Sequence, residues 1–308
     1  MIVALAGGVG GAKLAAGLAR ALPPEELVIA VNTGDDFEHL GLHVSPDLDT
    51  VMYTLAGIAN PATGWGRAHE TWSFMDALDR LGGPTWFRLG DRDLATNVER
   101  TRRLRAGQTL SAVTRDLCTR LGVRHAVVPM SDDPVRTIVH TDRGALEFQH
   151  YFVRDRCAPR VERLEYRGAE AARPSPALGA ALARSTGILF CPSNPYLSIA
   201  PILAVPGVRA AIAGRAVAVS PIIAGRAVKG PAAKIMQELG IAPSALEVAR
   251  HYRGVARALV IDRTDAPLAG AIEALGVRAV EEDTLMADEP DRERLARACL
   301  AVLAQARA

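Results

Sequence analysis

Lysine is nearly missing from this chain: of 36 basic residues, only Lys13, Lys229 and Lys234 are lysines. Arginine serves as the ordinary surface cation, so positions that keep lysine are candidates for a compact point charge. Aromatic residues are scarce at 5%, whereas alanine, glycine, valine and leucine abound; helices packed closely on a sheet are favoured over a β-sandwich. The four cysteines, Cys118, Cys157, Cys191 and Cys299, share no short spacing. Neither a zinc site nor a disulfide framework is indicated, and thiols in a reducing cytosol are the simpler reading. No apolar run approaches the roughly 20 residues of a membrane span. The chain also enters an apolar strand without a charged leader, which points to a cytoplasmic protein. A net charge of +2 is too small for a nucleic-acid binder, and no basic stretch is interleaved with aromatics. The run Arg102, Arg103, Arg105 reads as the solvated face of a helix.

What is present supports an α/β protein. With 308 residues, 49% of them hydrophobic, the chain can bury a sizeable core. Residues 2–6 and 27–31 are short buried strands joined by a glycine loop and a helix over residues 12–22, the opening of a doubly wound, mainly parallel sheet. Helices are expected over residues 50–55, 71–81, 95–104 and 110–121, and a strand over 125–128. Residues 137–140 and 146–152 flank Asp142-Arg143-Gly144 as a hairpin. Strands at 188–190, 217–220 and 259–261 then alternate with helices, and an amphipathic segment over 292–303 closes the chain. The expectation is a single Rossmann-like α/β domain over residues 1–308. A helical and β-hairpin subdomain inserted at about 50–170 is expected to contribute to the site.

Five segments carry chemistry. Gly7-Gly8-Val9-Gly10-Gly11 leads from strand to helix, where backbone N–H groups and the helix dipole favour an anion. It is not a P-loop, because Ala12 precedes the lysine where glycine belongs and Leu14 replaces Ser/Thr; it is not a dinucleotide fingerprint, because Lys13 stands at the third glycine. A phosphate cradle of another type is expected, from Gly7, Gly8, Gly10, Gly11 and Lys13. Next, Asp35, Asp36, Asp47 and Asp49 crowd within fifteen residues. Clustered carboxylates repel unless a cation or proton compensates, and Mg²⁺ held by Asp35, Asp36 and Asp47 would do so. Capping of the helix near Thr50 accounts for one of the four at most. The third segment, Arg88-Leu89-Gly90-Asp91-Arg92-Asp93, reads equally as a helix cap with salt bridges or as an arginine fork for a ligand. The fourth, Pro192-Ser193-Asn194-Pro195 with Ser198, suits phosphate or base contacts, though a rigid turn would look the same. The fifth, Ser220-Pro221-Ile222-Ile223 with Lys229, Gly230 and Lys234, places two of the three lysines in a second strand–loop–helix unit and reads as phosphate-facing.

Together with Pro129-Met130-Ser131-Asp132-Asp133, these motifs occur in an order that resembles the 2-phospho-L-lactate transferase family of coenzyme F-420 biosynthesis over nearly the whole chain. The resemblance implies a Mg²⁺-dependent phosphotransferase with a Rossmann-like fold. Its donor would be a guanosine diphosphate-linked phospho-acid, and its acceptor 7,8-didemethyl-8-hydroxy-5-deazariboflavin. It further implies that Asp49 and Arg88, with Arg92 beside them, contact the acceptor; Asp49 would position or deprotonate the attacking hydroxyl, and GMP would leave. The acid, whether phospholactate, phosphoenolpyruvate or phosphoglycerate, is not decided by any residue. Ala224 departs from the family pattern, which has glycine there. The motifs also fit, less well, a sister group of nucleotide-sugar-binding regulatory proteins. A homodimer is expected only because dimers are the commonest outcome for such enzymes.

Overall fold

The computed structural model describes residues 1–305. Its centre is a seven-stranded sheet in which every neighbouring pair is parallel. Strand β1 (Ile2–Ala6) lies in the middle of it. On one side follow β2 (Leu27–Val31) and the edge strand Ala126–Pro129; on the other follow Gly187–Phe190, Ala216–Val219, Ala256–Asp262 and Arg278–Glu282. The chain thus winds outward from β1 and then resumes on β1's other side. This is the expected doubly wound sheet, with its switch point between β1 and Gly187–Phe190.

Alternation along β1 divides the core. Val3 and Leu5 join the apolar layer on one face, while Ile2, Ala4 and Ala6 join the layer on the other. A strand buried on both faces reads as an unbroken apolar run, which is why β1 and β2 were legible residue for residue. Helix α1 (Gly8–Ala21) turns Ala12, Leu14, Ala15 and Leu18 inward and ends before Pro23-Pro24. Each fully buried leucine of this layer contributes about 1.5–3 kcal/mol relative to exposure. The C-terminal helix Glu289–Gln305 packs across α1, close enough that a Cβ on Gly17 would stand 2.1 Å from the Arg292 carbonyl oxygen.

Between β2 and the edge strand come α2 (Pro46–Leu55), α3 (Ser73–Arg80), α4 (Asp91–Arg105) and α5 (Leu110–Arg120). Beyond the edge strand, Arg136–Thr141 pairs antiparallel with Gly144–Glu147 on one side and with Val161–Arg167 on the other. The expected range of about 50–170 therefore contains the main sheet's edge strand. The hairpin's second strand is shorter than anticipated: residues 150–154 form a π-helical turn instead. The spacing explains this. Phe148 and Phe152, four apart, stack at 5.3 Å, as a helical turn permits and a strand does not.

Candidate functional site

The C-terminal ends of β1 and of Gly187–Phe190 meet at the switch point, and their loops are tied together there. Ser193 Oγ accepts from the Gly7 amide at 3.0 Å and donates to the Gly7 carbonyl at 2.8 Å. The crossing leaves no room for side chains: a Cβ on Gly10 would lie 2.4 Å from the Pro192 carbonyl oxygen, and one on Gly11 2.4 Å from Ser193 Oγ. Gly8 adopts φ +62°, which favours glycine outright. Thus Gly11 serves packing, whereas Gly7, Gly8 and Gly10 line the cavity that opens above α1. The first amides of α1 have no partner within the helix, and that of Gly8 donates to Asp47 Oδ1; a helix N-terminus at a cavity wall can favour an anion.

That cavity has a volume of about 620 Å³, within the range of small-molecule sites. It gathers most of the expected residues: Lys13, Ser193, Asn194, Ser198, Ser220, Lys229 and Gly230 at the glycine-loop end, with Asp35, Asp47, Asp49 and Arg88 along its walls. Asn194 Oδ1 caps the following helical turn by accepting from the amides of Tyr196 and Leu197, which leaves its buried Nδ2 without a partner among the described residues. Lys13 donates to the Met286 carbonyl at 2.7 Å, and Lys229 donates to the Thr63 carbonyl. Burial lowers the pKa of Lys13, helped by the positive charges of Arg292 and Lys229. Two cations placed to repel one another suit a shared anion. Ser220 is spent locally: its hydroxyl donates to the Ile222 carbonyl and accepts from the Ile222 amide. Lys234, expected to face phosphate, instead pairs with Glu238 at 2.5 Å and approaches Tyr151, outside the cavity lining.

The acidic segments divide by environment. Asp47 sits in the first turn of α2 behind Pro46; Oδ1 accepts from the Gly8 amide at 2.8 Å and Oδ2 from Asn32 Nδ2 at 3.0 Å. Burial raises its pKa to about 6 against those hydrogen bonds. Asp35 is raised well above the ordinary carboxylate range, by burial and by the charge of Asp47, and its Oδ1 is buried without a partner. Asp36 turns away from the cavity: Oδ2 accepts from Ser45 at 2.9 Å and faces His43 at 3.1 Å, while Oδ1 is also orphaned. No group of three or more acidic, histidine or cysteine side chains is placed to hold a metal by itself among the described residues. The orphaned oxygens and the uncompensated charge still fit a hard cation that takes its remaining ligands from water and phosphate, as Mg²⁺ does.

Sequence reasoning did not find the partner of Asp49. Arg100, 1% exposed, grips it from α4: NH1 reaches Oδ2 at 3.1 Å and Asn97 Oδ1 at 2.8 Å, while NH2 bonds Oδ1. Burial raises the Asp49 carboxyl while this fork pulls it down. The buried side of α4 is polar (Thr96, Asn97, Arg100, Thr101), so no apolar periodicity marks it. Of the run expected on a solvated face, Arg102 pairs with Glu99 in the open and Arg105 is exposed, whereas Arg103, its side chain 11% exposed, turns inward to pair with Asp116.

The charged motif before α4 resolves into separate tasks. Asp91 caps α3 by accepting from the amides of Ser73 and Phe74, and Glu70 caps α4 by accepting from those of Arg92 and Asp93. Arg92 is exposed and does not line the cavity. Arg88 lies over the Trp72 ring at 4.3 Å, at the cavity wall, beside a surface of Trp65, Phe87, Phe148 and Phe152. Asp93 also lines the cavity and receives the Tyr53 hydroxyl at 2.7 Å.

The family model for 2-phospho-L-lactate transferase CofD matches residues 2–303. A phosphoenolpyruvate transferase of Streptomyces griseus is 43% identical over 100% of this chain and 99% of its own length. A 2-phospho-L-lactate transferase of Methanosarcina mazei is 38% identical over 96% of this chain and 98% of its own. Among solved structures, a UPF0052 family protein of Bacillus halodurans superposes with a TM-score of 0.63 at 14% identity, covering 97% of this chain and 98% of that one, a likeness of fold.

Proposed function

The chain belongs to the 2-phospho-L-lactate transferase CofD family, and from that premise we propose that it transfers a phospho-acid from a guanosine diphosphate-linked donor to the terminal ribityl hydroxyl of 7,8-didemethyl-8-hydroxy-5-deazariboflavin in coenzyme F-420 biosynthesis. One observation carries the reading: a single cavity runs from the anion cradle of α1 to an aromatic wall, with buried carboxylates between them. The diphosphate lies against the amides of α1, with Lys13, Lys229 and the free amide of Asn194 as donors. The deazaflavin ring lies on the aromatic side, where Arg88 offers a planar cation to its carbonyl edge and Asp49, oriented by Arg100, positions the ribityl chain. Such a transfer needs alignment and charge neutralisation more than covalent help from the protein. Mg²⁺, held by Asp35 and Asp47 with Asp36 behind them, would supply part of that neutralisation when bound.

We take the acid to be phosphoenolpyruvate, following the name of the 43%-identical Streptomyces relative. The test is mass spectrometry of the product formed from the deazaflavin and each candidate guanosine diphosphate-linked acid, with and without exhaustive chelation. The enolpyruvyl product is expected, together with GMP and a requirement for Mg²⁺. Formation of the lactyl product alone would correct the acid; activity after chelation would remove the metal. A protein that binds no deazaflavin, read by the ligand's fluorescence, would overturn the transferase reading in favour of a nucleotide-sugar-binding regulator.

A further inference from the structure

The attacking hydroxyl must lose a proton, and four carboxylates line the cavity: Asp35, Asp47, Asp49 and Asp93. Asp35 and Asp47 lie at the glycine-loop end, where the charge of the donor is met. Asp49 has both oxygens engaged by the Arg100 guanidinium. Asp93 differs from all three. Its Oδ1 receives the Tyr53 hydroxyl at 2.7 Å, and its Oδ2 accepts no hydrogen bond among the described residues. Its backbone is pinned on both sides, the amide donating to Glu70 Oε1 at 2.8 Å and the carbonyl accepting from Asn97 at 3.0 Å. One oxygen is thus anchored and the other is left without a partner among the described residues, on a side chain that lines the cavity from a fixed helix start.

Resting on the transferase reading above, we propose that Asp93 is the proton acceptor of the reaction, with Tyr53 as the positioning residue that aims it and Asp49 holding the ribityl chain. The hydroxyl proton passes to Asp93 Oδ2 as the hydroxyl oxygen forms its bond to the phosphorus next to the acid. The bond from that phosphorus to the bridging oxygen breaks, and its electron pair leaves with GMP. Asp93 returns its proton to solvent once the products depart.

The surroundings suit this task. Burial first, and then the charge of Asp49, raise the Asp93 carboxyl to about 7, against the pull of the Tyr53 hydroxyl and of Arg100. Glu70 adds a weaker negative contribution, and the Arg67 guanidinium stands over the Tyr53 ring at 5.6 Å. A base that titrates near neutrality combines availability with driving force.

The experiment measures kcat/KM for the deazaflavin from pH 5 to pH 9 in wild type, Asp93→Asn and Tyr53→Phe, with deazaflavin affinity read by fluorescence. Wild type should show an ascending limb centred near pH 7. Asp93→Asn should lose that limb and about 10²–10⁴-fold in kcat, while its affinity for the deazaflavin changes by less than about threefold. Tyr53→Phe removes a hydrogen bond that favours the carboxylate, so its limb should move to higher pH. An Asp93→Asn enzyme that keeps the limb, or a Tyr53→Phe limb that does not move, overturns the assignment while the wild-type turnover leaves the transferase reading standing. A wild type that turns over no deazaflavin overturns that reading, and the assignment with it.

Discussion

Among the described residues Arg100 is the one buried arginine or lysine, and removing it should be costly in a way that removing its partner as well is not. Its side chain is 2% exposed and that of Asp49 9%, and two guanidinium nitrogens contact the two carboxylate oxygens. Arg100→Met deletes the fork but leaves Asp49 buried, with the carboxylate of Asp36 close enough to act on it. Breaking such a pair from one side costs about 3–5 kcal/mol, because the surviving charge keeps its desolvation penalty without compensation. Asp49→Leu should cost a similar amount, since among the described residues Asn97 is then the remaining hydrogen-bond partner of the guanidinium. Replacing both leaves no orphaned charge, and pairs replaced by apolar residues of similar volume are often neutral. The double variant should therefore be more stable than either single one, with a coupling of at least about 2 kcal/mol. Urea denaturation followed by circular dichroism measures all four proteins, with stability taken from the linear dependence on denaturant. Single variants that lose less than about 1 kcal/mol, or a double variant whose loss equals the sum of the two, would refute the argument that this pair is buried and interdependent.

Further outcomes are equally specific. Lys229→Ala should weaken GDP binding by about tenfold to a hundredfold, the value of a charge-assisted contact; equal calorimetric affinities would remove Lys229 from the site. Gly10→Ala drives a methyl group against the Pro192 carbonyl, 2.4 Å away; it should part the two switch-point loops and lower GDP affinity and melting temperature together. Ala224 holds φ +48° in the two-residue turn between Ile222–Ile223 and Arg226–Ala227, followed by Gly225 at φ +74°. Ala224→Gly should relieve about 1 kcal/mol of left-handed strain, visible as a rise in melting temperature. The ligand-free protein should also lose the Asp93 contribution to stability as pH rises. The folded carboxyl holds its proton to about 7, whereas the unfolded one releases it near the ordinary value of 3.8. That contribution is full below about pH 4 and disappears as pH passes 7. The melting-temperature advantage of Asp93→Asn over wild type should thus grow between pH 5 and pH 8, and a constant difference would contradict it.

The elements legible in the sequence are those that bury apolar side chains with a recognisable period. β1 and β2 were located to the residue because both of their faces are covered. Arg278–Glu282 escaped because it is an edge strand, and its charges mask any apolar run. Val161–Arg167 escaped for the same reason, alternating acidic and basic residues at the margin of a small sheet. Ala224 was noticed as a departure from a family pattern, but its meaning required the backbone: the position demands positive φ, so glycine there is a conformational rather than a chemical preference.

The site itself was only half legible, and the division has a physical cause. Motif reasoning finds residues that are unusual for their place, such as glycines before a helix or carboxylates in a crowd. It cannot say which partner each of them meets. Asp47 meets backbone amide and Asn32, Asp49 meets Arg100, and Asp93 meets Tyr53. One residue type thereby acquires three different electrostatic settings within one cavity. The same holds for the lysines. Lys234 is tied to Glu238 by charge, whereas among the described residues Lys13 and Lys229 donate to the carbonyls of Met286 and Thr63. A carbonyl is a weaker partner than a phosphate oxygen, so under the proposed function a diphosphate would draw both ammonium groups toward itself. An arginine in either place would bring a planar fork, suited to gripping one partner in one orientation. On that proposal, lysine suits these two positions of an otherwise arginine-rich chain because the cation there would change partners when the donor binds.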